Sequence, residues 1–318
     1  MLSLDASSWE IVQQATQHAV RLGIQPHQVN SASVLDFGVE APGGLDAGLM
    51  LARICMSGLC SLRLENNVEC PALPELHVQT DHPQEACIGS QYAGWEFKAG
   101  DFFAMTSGPA RCLHPEPEAI ITAAGIQETS DCAVGIMETR TLPDEQVVEQ
   151  FAAKCGVEKD RVAICVAPTA SFAGSIQVVA RSIETSLHKL HELQFDLTRV
   201  VSAIGSAPVP LFGKDDFASL GWTNDCILYG ARVTIWMEAD DEELQQVGAL
   251  MPSSASRDFG QPFLELFKKY DCDFYQVDKM LFSPAQVTFN NLKTGRSMTF
   301  GETRFDILCR SMHLDADG

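Results

Sequence analysis

The chain has 318 residues, with 42 acidic against 22 basic side chains, a formal charge of −20 when every His is neutral. Such a field repels phosphate backbones, and the basic residues are scattered rather than gathered into a patch, which excludes nucleic acid as an expected partner. With 46% hydrophobic and 20% charged residues, the composition is that of a globular protein long enough for two domains, and no run approaches the roughly 18 apolar residues that signal a membrane span. Met1 to Asp5 carries neither the basic nor the apolar region of a signal peptide, so a cytoplasmic location is expected. The 11 cysteines are odd in number and include no C-x-x-C pair. They read as mostly small, reduced, buried residues.

Taken in chain order, Glu10 to Leu22 has helical periodicity, and Val34, Leu35, Phe37 and Val39 suggest a short strand stopped by Pro42, Gly43 and Gly44. A second helix follows from about Asp46 to Leu59. The order returns later: Asp144 to Cys155 is helical, Arg161 to Val166 is a fully buried type of strand, Pro168 to Phe172 is a loop, and one long helix is expected from Ala173 to Leu193. Ala41, Pro42, Ala47 and Gly48 recur 126 residues on as Ala167, Pro168, Ala173 and Gly174. This spacing suggests two related α/β units, and if they face each other the cleft between them is the natural ligand site. Packing alone also explains it, the Pro stopping each strand and the small residues admitting each helix. Finally, Val287 and Phe289 before Gly295, with Met298 and Phe300 after it, read as a β-hairpin.

On the helix after Phe172, Ile176, Val179, Ile183, Leu187 and Leu190 form an apolar stripe, and Gln177, Arg181, Glu184, His188 and His191 gather beside it. Arg181 and Glu184, three residues apart, are either a surface ion pair or, in a cleft, a carboxylate whose proton affinity the Arg adjusts. Glu184, His188 and His191 have spacings that could hold a metal, although no fourth donor is implied. His82, between Asp81 and Pro83, suits a turn as well as a site. Three loops rich in small and polar residues, 89–95, 106–111 and 222–225, suit ligand contact or tight turns equally. No Walker A loop, G-x-S-x-G elbow or H-E-x-x-H occurs.

At these loops the chain resembles the methenyltetrahydromethanopterin cyclohydrolase family over nearly its whole length. The likeness rests on PGGLDAG (42–48), TDHP (80–83), GSQYAGW (89–95), SGPAR (107–111), VAPTAS (166–171), RSIET (181–185), TND (223–225), SRDFG (256–260) and SPAQ (283–286). The resemblance implies reversible hydrolysis of 5,10-methenyltetrahydromethanopterin to the 5-formyl compound, with the pterin as one-carbon carrier, no other cofactor, no metal, and a homo-oligomer, often a trimer. It implies an α+β fold of α/β-type units, two domains with mixed sheets and helices enclosing an interdomain pocket. We expect the domains at 1–125 and 126–280, with 281–318 free to return to the first. The family's catalytic Glu and supporting Arg fall on Glu184 and Arg181, and substrate contacts on Gln91, Tyr92, Ser107, Arg111, Thr169, Ser171, Asn224 and Asp225. The chain departs from archaeal members at Tyr92, where they carry Lys; a hydrogen-bond donor is kept and a fixed cation lost. This suggests a bacterial-type member serving formaldehyde oxidation. A metal-dependent amidohydrolase and a non-catalytic pterin-binding protein are the competing readings.

Overall fold

The computed structural model describes residues 3–115, 118–212 and 215–314. Its strands, in chain order, are β1 Gln25–Val29, β2 Ala32–Asp36, β3 Ser61–Asn66, β4 Pro74–Thr80, β5 Trp95–Ala99, β6 Phe102–Ser107, β7 Ala133–Glu138, β8 Val162–Val166, β9 Val200–Pro208, β10 Arg232–Met237, β11 Gln286–Asn291 and β12 Ser297–Gly301. The α-helices are α1 Leu4–Gln17, α2 Ala19–Leu22, α3 Leu45–Cys55, α4 Ala119–Ala123, α5 Glu145–Cys155, α6 Phe172–Val179, α7 Ser182–Glu192, α8 Asp216–Asp225, α9 Asp241–Gly248, α10 Phe263–Lys269 and α11 Phe305–Ser311. The fold is α+β, each of two units being built on one six-stranded mixed sheet.

The first unit comprises residues 1–60 and 84–178 and carries the sheet β1-β2-β8-β7-β6-β5. β2, β8 and β7 are parallel, and antiparallel strands flank them. β8 is buried throughout because both faces of the sheet are covered, as its unbroken apolar run implies. Ala163 and Cys165 pack with Leu35, Val134, Val12 and Leu51 on the side of α1 and α3. The alternate residues Val162, Ile164 and Val166 pack with Val148 and Phe151 of α5 on the other. The ends of α5 follow from local chemistry: Asp144 caps its start by accepting from Val147 N–H at 3.0 Å, and Gly156 ends it at φ 68°.

The second unit comprises residues 61–83 and 179–318 and carries the sheet β12-β11-β10-β9-β4-β3. Only β10 and β11 are parallel in it. Val233, Ile235, Val287 and Phe289 are buried on the face that receives α7 and α9, while their alternates Thr234, Trp236, Thr288 and Asn290 are half-buried on the opposite face.

Three expectations need correction. The division does not fall at 125/126 and 280/281: β3 and β4 cross into the second sheet because β4 pairs with β9, Thr80 opposite Ala203, and the hairpin β11–β12 joins the second unit by pairing with β10. The two similar passages do not face each other as separate units, since β2 and β8 are adjacent parallel strands of one sheet, Asp36 beside Val166. The long helix is two helices, α6 and α7, interrupted at Ala180 and Arg181.

Candidate active site

In the first unit the chain leaves the carboxyl ends of parallel strands β2 and β8 through loops that lead to α3 and α6, the edge where open α/β sheets place ligands. Asp36, buried at the end of β2, shapes the first loop. Its Oδ1 accepts from Gly38 and Val39 N–H at 2.8 and 2.6 Å, and its Oδ2 from Glu40 and Ala41 at 2.8 and 2.9 Å. The second loop is closed by Ser171, whose hydroxyl donates to Pro168 O at 2.7 Å and accepts from Gly174 N–H at 3.0 Å. Ser175 Oγ donates to Thr169 O at 2.7 Å. The two loops touch: a Cβ on Gly38 would lie 2.6 Å from Ser171 Oγ, so only glycine fits there.

A second group of expected residues gathers elsewhere in this unit. Gln84–Gln91 is a π-helical segment, a wide helix often found at functional sites, and it delivers Gln91, fully buried, and Tyr92. Gly108 N–H donates to Ser90 O at 2.8 Å, which brings Ser107 and the 90–92 segment together. Ser90 Oγ lies 2.7 Å from Ser57 Oγ, and Ser107 Oγ lies 3.6 Å from Cys55 Sγ. Arg111, 4% exposed, clamps the same segment: Nη1 donates to Tyr92 O at 2.8 Å and Ala93 O at 2.7 Å, Nη2 pairs with Glu118, and the guanidinium lies 4.2 Å from the Tyr92 ring centroid. Trp95, Arg111, His114, Glu118 and Ile121 line a cavity of about 150 Å³.

In the second unit Arg181 is the N-cap residue of α7 and Glu184 its third helical residue, and each is only 6% exposed. Arg181 O accepts from Thr185 N–H at 2.8 Å and Thr185 Oγ1 at 3.0 Å, which anchors the first turn. A carboxylate in that turn lies where the helix end is partially positive, an arrangement worth roughly 0.3–1 kcal/mol at exposed sites and more when partly buried. The interruption at Ala180 and Arg181 therefore gives Glu184 a helix N-terminus that one unbroken helix would deny it.

Further along α7, Lys189 is fully buried and donates from Nζ to Met280 O; burial pulls its ammonium down to about 8. Met280 belongs to a turn tied to the SRDFG block: Ser256 Oγ donates to Asp278 Oδ2 at 2.8 Å, and Asp278 N–H donates to Asp258 Oδ2 at 2.9 Å. At the end of α8, Asp225 is fully buried and accepts from Phe263 N–H at 2.8 Å and from the Ser311 hydroxyl. Burial pushes its carboxyl up to about 7, against the lowering effect of those two bonds. Asn224 Nδ2 donates to Leu220 O at 2.8 Å.

The arrangement thus sorts the expected residues. Gln91, Tyr92, Ser107 and Arg111 are neighbours, Thr169 and Ser171 share a loop, Asn224 and Asp225 end α8, and Arg181 and Glu184 open α7. Arg111 and Asp225 already hold protein groups. His82 is exposed on a turn, its N–H donating to Thr80 Oγ1 at 3.0 Å. Glu184, His188 and His191 do not form a metal-holding group; among the described residues no cluster of three His, Cys, Asp or Glu side chains does. A groove of about 440 Å³ on the face of the second sheet opposite α7 is lined by Asp81, Ile204, Trp236 and neighbours and includes none of the expected residues. Asp36 and Lys189 were not singled out from sequence. An Asp at a strand end shortly before a Gly is the one signal that could have found Asp36.

A two-unit α+β protein with a buried carboxylate and Arg at one helix start, and loop-shaped polar clusters elsewhere, is the class that fold and site define. Residues 3–312 match the family model described as Cyclohydrolase (MCH), and the chain belongs to that family. Among its relatives, methenyltetrahydromethanopterin cyclohydrolase of Rhodopirellula baltica is 45% identical over 322 residues, covering 98% of this chain and 95% of that one. The protein of the same name from Methanococcoides burtonii is 42% identical over 284 residues, 89% of each chain, and that from Methanocaldococcus jannaschii 40% over 319 residues, 98% of each. Among the described residues no helix is long and apolar enough to cross a membrane.

Proposed function

We propose that this chain catalyses the reversible hydrolysis of 5,10-methenyltetrahydromethanopterin to 5-formyltetrahydromethanopterin. The relatives' activity supports the substrate, and the burial of Glu184 beside the N-cap Arg181 in the first turn of α7 carries the mechanism. The methenyl carbon is flanked by two nitrogens that share one positive charge, so it is already electrophilic. Water attack needs a proton acceptor more than a strong Lewis acid.

Glu184 takes a proton from water as its oxygen bonds to the methenyl carbon, giving a neutral carbinolamine. It then returns that proton to the aryl nitrogen as the carbon–nitrogen bond breaks. The remaining hydroxyl proton is lost as the formyl C=O forms, so one water is consumed and one proton released. Arg181 keeps Glu184 from locking into an ion pair with the cationic ring. General acid–base work of this kind supplies about 10²–10⁴-fold, or roughly 3–5 kcal/mol.

Gln91, Tyr92, Ser107 and Thr169 are assigned to contacts with the pterin and its tail. Arg111, Ser171, Asn224 and Asp225 are assigned to the same contacts, and their bonds to neighbouring protein groups hold the loops that make them. The enzyme works in the cytoplasm as a homo-oligomer, a trimer by preference, in formaldehyde oxidation, without a metal or other cofactor. The decay of amidinium absorbance tests the assignment: it should be rapid with the methanopterin, insensitive to chelator, and much slower with the tetrahydrofolate analogue. Stable absorbance in the presence of the protein would refute it.

A further inference from the structure

Most cysteines of this chain are chemically quiet. Cys55, Cys87, Cys165 and Cys226 are fully buried, and burial pushes the thiols of Cys60 and Cys112 up to about 12, so little nucleophilic thiolate forms. One pair differs. Cys70 Sγ and Cys309 Sγ lie 3.9 Å apart, across 239 residues of sequence and within the second unit. Cys309 is partly exposed on α11, and Cys70 is 5% exposed in the turn between β3 and β4.

The turn is held in place. Asn67 Oδ1 accepts from Glu69 and Cys70 N–H at 2.9 and 3.0 Å, Leu73 N–H donates to Cys70 O at 3.0 Å, and the N–H groups of Ala72 and Leu73 face the Cys70 sulfur. Burial first, and then the neighbouring thiol, hold the Cys70 thiol above its ordinary value, with those two donors acting in the opposite direction, which suits Cys70 to the resolving rather than the attacking role. On the other side, α11 is short and lies near the end of the described chain. A disulfide needs its sulfurs about 2.05 Å apart, so closing the gap takes under about 2 Å of side-chain rotation and helix shift.

We propose that Cys70 and Cys309 are a reversible oxidation site, closed to a disulfide by hydroperoxides. Cys309, the more accessible thiol, attacks the peroxide as its thiolate; the O–O bond breaks, one oxygen leaves as water after protonation, and Cys309 becomes a sulfenic acid. The Cys70 sulfur then attacks the sulfenyl sulfur, the S–O bond breaks, and a second water leaves. Two thiols and one hydrogen peroxide give one disulfide and two waters, the thiols losing two electrons and the peroxide gaining them.

The bond fastens the C-terminal helix to the turn before β4. α11 already braces the end of α8, since Ser311 O accepts from Trp222 Nε1 at 3.1 Å and its hydroxyl donates to Asp225. The staple closes a very long loop of the unfolded chain, where the entropic gain from a cross-link is largest.

The test uses the full-length protein, reduced, freed of reductant, treated with hydrogen peroxide, alkylated and digested without reduction. The expected result is one cross-linked peptide pair carrying Cys70 and Cys309, loss of two of the 11 alkylatable thiols, and a melting temperature raised by roughly 5–10 °C and restored by dithiothreitol. Cys309→Ser and Cys70→Ser, each close in size to the native residue, should fold and melt like the reduced protein and lose both the cross-link and the stabilisation. Both thiols remaining alkylatable, Cys309 proceeding to sulfinic acid without a link, or a cross-link that avoids Cys70 would overturn the proposal.

Discussion

Replacing Gly205 by Ala tests how the start of α7 is positioned. Gly205 lies on β9 under that helix, and an added Cβ would meet Ser182 Oγ at 2.5 Å, Ile183 Cγ1 at 3.1 Å and Ser182 Cβ at 3.4 Å. Ordinary contact requires about 3.5 Å, so the Ser182 and Ile183 side chains and, with them, the first turn of α7 must give by up to roughly 1 Å. Overpacking of this kind costs about 1–3 kcal/mol. A displacement near 1 Å at a reacting group costs up to about 10²-fold, and Glu184 stands two residues beyond Ser182. The variant should therefore lose about 10–100-fold in kcat with a much smaller change in KM. Ser182 is fully buried and its hydroxyl has no hydrogen-bond partner among the described residues, so Ser182→Ala alone should be nearly neutral. Combined with Gly205→Ala, it removes the 2.5 Å clash and should restore most of the lost turnover and melting temperature. Full activity in Gly205→Ala, or an unrelieved defect in the double variant, would refute the reasoning.

Asp225 gives a pH dependence of definite sign. Its folded carboxyl keeps a proton to about pH 7, while an unfolded chain loses it near pH 3.9, so the folded state binds more protons between these limits and stability falls as the pH rises through them. A displacement of that size is worth up to about 4 kcal/mol. Asp225→Asn should gain stability over the native protein progressively from pH 4 to 7, read as urea midpoints; a pH-independent difference contradicts the assignment. Asp36→Ala strands four loop N–H groups and should cost about 3–5 kcal/mol in urea unfolding, with a cost below about 1 kcal/mol counting against the loop's dependence on that carboxylate.

What could be read from the sequence was set locally. The buried run at 162–166, the Asp144 and Gly156 ends of α5, and the hairpin turning at Gly295, φ 74°, each carry their cause within a few residues. The break at Ala180 and Arg181 carries no such signal, since neither residue opposes helix, and it decides the environment of Glu184. The interleaved units were illegible for a related reason: β2 with β8 and β4 with β9 pair across more than a hundred residues, and periodicity says nothing about partners. Glu184 and Arg181 were reached through the RSIET block rather than through their spacing. The roles of Gly205 and Lys189 come wholly from tertiary neighbours, Ser182 and Met280. The partners of the Arg111 fork, Tyr92 O, Ala93 O and Glu118, are likewise set by the fold and not by the SGPAR motif.

Single-turnover decay of the amidinium chromophore in Glu184→Gln, at saturating protein and with folding checked by circular dichroism, addresses the central claim most directly. A fall of about 10²-fold or more in the chemical step, with substrate still bound, is the expected result. A folded variant that hydrolyses the substrate at close to the native rate would show that this carboxylate is not the proton acceptor.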